Sequence, residues 1–138
     1  MDKLQILKAW LEGFPRWGEA DWEVDLTGCA AVSCRLTLED HRVTARKEDV
    51  LGIRLLTMQV QFSFIRVSYG EENPAGWVEA FSNWVTEQSE YGNAPKLGDG
   101  ITRFRPEKGK LESAGDKAVY TVKLIGTYNK KYEVNQLC

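Results

Sequence analysis

Arg54-Leu55-Leu56-Thr57-Met58-Gln59-Val60-Gln61-Phe62-Ser63-Phe64-Ile65-Arg66-Val67-Ser68 alternates with a period of two. Leu56, Met58, Val60, Phe62 and Phe64 are apolar, and Thr57, Gln59, Gln61 and Ser63 stand between them. Successive side chains of a strand point to opposite faces, so this is a long β-strand with one buried and one wetted face. Near the C-terminus Tyr120, Val122, Leu124 and Tyr128 alternate with Thr121, Lys123, Thr127 and Asn129 in the same way. With helical patterns before and between these strands, the expected fold class is α+β: a single mixed or antiparallel β-sheet with two α-helices packed on one face.

Working outward, Lys3 to Gly13 places Leu4, Leu7 and Leu11, with Ile6 and Trp10 to one side, at helical spacing. Asp2 and Gln5 form a capping-box pair, and Gly13 and Pro15 end the helix. Phe14 to Gly18 reads as an aromatic turn, and Trp22 to Leu26 as a short strand. After a break at Gly28, a second strand covers Ala30 to Leu38. Glu39 to Asp49 is charged and weakly periodic, which predicts a solvated loop or edge segment. Beyond Tyr69, Gly70, Asn73 and Pro74 end the long strand and begin a second helix, with Trp77, Phe81, Trp84, Val85 and Gln88 on one stripe. Glu79, Asn83, Glu87 and Glu90 lie around its other side. Rings at such spacing read as core packing. A glycine-containing loop from Gly92 to Gly100 follows, then an extended segment from Ile101 to Glu112. Gly115-Asp116 turns it into the last strand, which runs to Val134. The expected order is α-β-β-β-α-β-β in one domain, residues 1–138.

The chain has 138 residues and a formal charge of −2. That length is enough to bury a core without staples. The charge balance leaves no basic footprint, so specific nucleic-acid recognition is not expected. Cys29, Cys34 and Cys138 form no CxxC pair and His41 is the single histidine, so neither a metal site nor a disulfide framework is expected. No run approaches about twenty apolar residues and Asp2-Lys3 opens no signal-like core, so neither a membrane span nor export is expected. The expected place is the cytoplasm.

Catalysis by a histidine dyad would have to use His41, which lies between Asp40 and Arg42 in the charged segment. The glycine cluster lacks a phosphate-loop order. The carboxylate pairs Glu39-Asp40, Glu48-Asp49 and Glu71-Glu72 read as solvated loop charge. No enzyme activity, catalytic residue or cofactor is expected. The features left over are surfaces for protein partners. The mixed-charge run Arg46, Lys47, Glu48 and Asp49 is the first candidate contact, because both signs favour a specific register. Arg16 and Trp17, in the aromatic Phe14 to Trp22 segment, are the second, although such a cluster can equally close the end of a core. A small cone-shaped α+β enzyme or ligand-binding protein is the alternative class, since a curved sheet and helices can enclose a pocket.

Particular strings add a resemblance. Leu7-Lys8-Ala9-Trp10-Leu11-Glu12-Gly13-Phe14-Pro15-Arg16-Trp17-Gly18, Arg46-Lys47-Glu48-Asp49-Val50-Leu51-Gly52, Trp84-Val85-Thr86-Glu87-Gln88-Ser89, Glu107-Lys108-Gly109-Lys110-Leu111 and Lys131-Tyr132-Glu133-Val134-Asn135 fall in this order along nearly the whole chain. The chain resembles the phage and prophage minor capsid proteins, tail-terminator-like head–tail joining proteins. The resemblance implies a virion structural protein that assembles with itself, usually as a six-fold ring, on the end of a tail tube and faces the head connector. It further implies residence in the bacterial host cytoplasm during assembly and in the virion afterwards.

Overall fold

The computed structural model describes residues 2–22 and 31–133. Helix α1 (Lys3–Glu12) is followed by strands β1 (Asp21–Trp22), β2 (Val32–Glu48) and β3 (Ile53–Tyr69). Helix α2 (Pro74–Glu90) then leads to β4 (Asp99–Ala114) and β5 (Lys117–Glu133). This is the order the sequence predicts. The strands form one mixed five-stranded sheet in the order β1-β2-β3-β5-β4. Only β1 runs parallel to its neighbour, β2; the other pairings are antiparallel.

Both helices start where a side chain replaces a missing backbone partner. Asp2 accepts a hydrogen bond from the Gln5 amide at 2.8 Å, the Gln5 side chain accepts one from the Asp2 amide, and Asn73 accepts one from the Gly76 amide. Pro74 sits in the first turn of α2. Leu7 and Leu11 of α1 and Trp77, Phe81 and Val85 of α2 are buried against one face of the sheet. That face is built from Val60, Phe62 and Phe64 on β3 and Tyr120, Val122, Leu124 and Tyr128 on β5. The register places Phe62 opposite Leu124 and Phe64 opposite Val122, so the two alternating sets share one side. Both helices therefore pack on the same face, in an α+β fold.

Across the core the rings interlock. Phe64 stacks on Phe81 with centroids 5.2 Å apart, and Phe81 stacks on Trp77 at 5.0 Å. Gly126 leaves room for the Phe104 ring, whose Cε1 would lie 2.6 Å from an added Cβ. A Gly126→Ala variant is expected to lose about 1–3 kcal/mol by overpacking, read as a lower urea midpoint. An unchanged midpoint would mean that the ring does not hold that place.

Three expectations are corrected. Of the two readings for Glu39 to Asp49, the solvated loop is overturned and the edge segment holds, because β2 continues without interruption to Glu48 and pairs on one side with β3 as far as Arg54. Bulges between Leu38 and Asp40 and between Val43 and Ala45 shift the register and break the period-two pattern. His41 consequently leaves the expected loop for the strand, where its Nε2 shares a hydrogen bond with the Tyr128 hydroxyl. Third, Glu71 and Glu39 are not merely solvated: Glu71 pairs with Arg66, and Glu39 with Lys123. Of the expected strand Trp22 to Leu26, Trp22 belongs to β1, and Glu23, Val24, Asp25 and Leu26 lie outside the described residues. Cys34 is buried as expected of a small apolar residue, whereas Cys29 and Cys138 lie outside that range. Burial pushes the Cys34 thiol up to about 12 against the opposing charge of Arg66.

Candidate functional site: a three-stranded arm

Strands β2, β3 and β5 each have 17 residues, which at about 3.3 Å per residue makes them about 55 Å long. Helix α2 also has 17 residues but spans only about 25 Å, and the ten residues of α1 about 15 Å. Two such helices cannot cover the whole sheet. The part beyond Met58, comprising the far ends of β2, β3 and β5, projects as an arm whose β2 side is almost wholly exposed.

Its tip is a tight turn. The Asp49 carboxylate accepts hydrogen bonds from the Leu51 amide at 2.9 Å and the Ile53 amide at 3.0 Å, and Gly52 takes a left-handed φ of 80°. This turn displays Val50 and Leu51, which are 102% and 74% exposed. They form a small exposed apolar pair at the end of the hairpin.

The register sets the chemistry of the arm's two faces. Arg46 on β2 lies opposite Leu56 on β3, which lies opposite Lys130 on β5. In the next row, pointing the other way, Lys47 lies opposite Leu55, and Leu55 opposite Lys131. Each face thus carries a leucine between two cations. On the helix-free face an open recess of about 300 Å³ is lined by Lys47, Glu48, Asp49, Ile53, Leu55 and Lys131. An apolar floor with a charged rim is the anatomy of a protein interface. A roomier recess, about 500 Å³, lies at the β4–β5 turn by Glu112 and Lys117, but the Glu112 carboxylate is already paired with Lys110 at 2.7 Å.

The expected contact residues separate on this framework. Arg46 and Lys47 enter no ion pair among the described residues. Glu48 is 3.6 Å from Arg54, an exposed pair of small energetic weight. Asp49 shapes the turn. Arg16 is exposed and donates to the Gly76 carbonyl oxygen at 3.3 Å. Trp17 is only 7% exposed and packs on Trp22 and Phe64, so it closes the end of the core and offers no docking surface. Sequence reading missed Lys130 and Lys131, which only strand register brings beside Arg46 and Lys47. Among the described residues no group of three or more His, Cys, Asp or Glu side chains is arranged to hold a metal ion, and no helix is long and apolar enough to cross a membrane.

Edges bear on how this arm can dock. Beyond Cys34 the outer edge of β2 pairs with no strand among the described residues. Its charged side chains and two bulges disfavour strand addition. On the opposite edge, β4 carries Pro106, a register shift between Glu107 and Lys110, and Lys108 at a φ of 54°. On the β2 side, contact therefore falls to the side chains on the arm's faces.

Charged contacts along the sheet also make its stability depend on pH. Lys123 hydrogen-bonds the Glu39 carboxylate and holds it below its usual range, against the small penalty of burial. For Glu71, burial pushes upward, but hydrogen bonds from Arg66 and Ser68 and the Arg66 charge outweigh it. Burial lowers the His41 imidazole, helped by the Lys3 and Lys130 charges and opposed by Asp40. All three groups bind protons more weakly folded than unfolded, so their stabilisation is present at high pH and lost on acidification. The urea midpoint should fall first below about pH 6.5 through His41, then below about pH 4.5 through the carboxylates. A His41→Gln variant should lose the first step. A midpoint flat from pH 7.5 to 5.5 in the unaltered chain would contradict this.

No family model matches this chain, and no curated protein matches it.

Proposed function

We propose that this chain is a non-enzymatic virion structural protein of a phage or prophage, a tail terminator or head–tail joining subunit that assembles as a ring on the end of the tail tube. The supporting observation is the arm, which presents cations, leucines and the exposed Val50-Leu51 tip beyond the helix-backed core. A heterologous contact between an arm and a different surface of the next copy closes into a ring when the rotation per subunit divides a full turn. Weak single contacts suffice, because closure makes the last of them intramolecular. The resemblance to minor capsid proteins points to a six-fold ring and to tail-tube and head-connector proteins as neighbours. The site of assembly is then the bacterial host cytoplasm, and the final location the virion.

Reversing Arg46 and Lys47 to glutamate together tests this reading. Both side chains are exposed, so the variant should keep its circular dichroism spectrum and sediment as a monomer at concentrations where the unaltered chain forms rings. Rings of the variant, with normal assembly of phage particles, would refute the role given to the arm.

A further inference from the structure

The arm's cations face a question that the rest of the surface answers. Helix α2 contains no lysine or arginine, and its solvent side carries Glu79, Asn83, Glu87 and Glu90, all exposed. Glu79 and Glu87 enter no ion pair among the described residues. Glu90 borders a recess that also holds Arg103 and Arg105, so the uncompensated part of the stripe is centred on Glu79 and Glu87. Glu87 and Glu90, three residues apart in the last turn, oppose the helix dipole and repel one another, a small cost to the isolated subunit, and Glu79 extends the uncompensated charge toward the first half of the helix. A cationic partner laid along the stripe removes that cost.

We infer that the helix-free face of the arm of one copy, through Lys47, Leu55 and Lys131, docks across the acidic outer face of α2 in the next copy. This contact rests on the ring reading and gives it a geometry. The two patches lie on different parts of the molecule, so the contact is heterologous and propagates from copy to copy. Opposite charge sets the pairing, and Leu55 with Ile53 supplies the apolar centre inside the charged rim. In the same recess Glu48 is offset by Arg54, while Asp49, charged though it holds the turn, offsets one of the two lysines, so the face keeps a net positive charge.

Two charge-reversal variants and their mixture test the contact by sedimentation velocity. Lys47→Glu with Lys131→Glu makes the arm acidic, and Glu79→Lys with Glu87→Lys makes the helix basic. Each alone should associate at least about a hundredfold more weakly than the unaltered chain, because like charges then meet at every contact. Mixed in equal amounts they should assemble again, since acidic arms now meet basic helices and basic arms meet acidic ones. A misfolded variant could not be rescued by mixing. If the unaltered chain forms rings and both variants form them equally well, the contact is wrong and the ring reading stands. Rings lost in both variants but not restored by mixing would also overturn the contact. An unaltered chain that stays monomeric at every concentration removes the ring reading and the contact together.

Discussion

Replacing Glu71 by alanine is expected to destabilise the fold by about 3 kcal/mol, the lower end of the cost of breaking a buried ion pair. Arg66 sits on the core face of β3, opposite Cys34 and Tyr120, and is only 6% exposed. Its guanidinium lies over the Trp77 ring, with Cζ 3.9 Å from the centroid, and donates to Glu71 at 2.8 and 3.3 Å. Ser68 donates to the same carboxylate at 2.8 Å. Removing that carboxylate leaves a buried cation and a hydroxyl without their acceptor. The partner's own 21% exposure softens the penalty, which is why the lower end is expected. Adding Arg66→Met to the Glu71→Ala chain should recover part of the loss, because the stranded charge is then gone. Urea denaturation of the two single variants and the double variant checks this. A double variant that loses the sum of the two single effects would show that the two side chains are not coupled.

Phe64→Ala is expected to cost about 3–5 kcal/mol, a large part of the total stability of a domain of this size. The ring is fully buried, stacks on Phe81, and meets Trp22 and Tyr120 edge-on at centroid distances of 6.2 and 6.4 Å. It joins the packing of α2 and of Trp17 and Trp22 to the sheet, so the cavity left by truncation has few ways to collapse. Gln59→Ala, at a polar position on the opposite face of β3, should shift stability by no more than about 0.5 kcal/mol. Thermal or urea unfolding of both variants makes the comparison. Equal losses at the two positions would contradict the assignment of faces to β3.

The legible parts of the sequence are those where a local rule and the tertiary packing agree. Asp2 with Gln5, and Asn73 with Pro74, mark helix starts through short-range hydrogen bonds and backbone restriction, and both helices begin there. The alternation of Leu56 to Phe64 marks a strand because one side of it meets the core. Alternation failed where no core stands behind it. From Glu39 to Glu48 neither side of β2 is well buried, and two bulges shift the parity, so charge density alone does not separate a loop from the edge strand that forms there. Arg66 continues the even-numbered series of Phe62 and Phe64, and that parity alone could have placed its side chain on the core face.

The candidate site was legible in part. Arg46 and Lys47 stand out as adjacent cations in a mixed-charge run. That they point to opposite faces, each paired across a leucine with a lysine far along the chain, follows from strand register. Trp17 was ambiguous in sequence because a ring beside Pro15 and Gly18 can cap a core or face a partner. Contacts with Trp22 and Phe64 settle it as core.

By itself, the order of residues determined the number and kind of elements, the buried face of the two alternating strands and the capped starts of both helices. These depend on neighbours within a few positions, where backbone sterics and side-chain periodicity act directly. Tertiary structure alone decided how far the sheet outruns its helices and which cations share a face of the arm. Those outcomes depend on residues brought together by strand pairing across the chain: a helix rises about 1.5 Å per residue and a strand about 3.3 Å, so equal lengths of sequence cover unequal lengths of space.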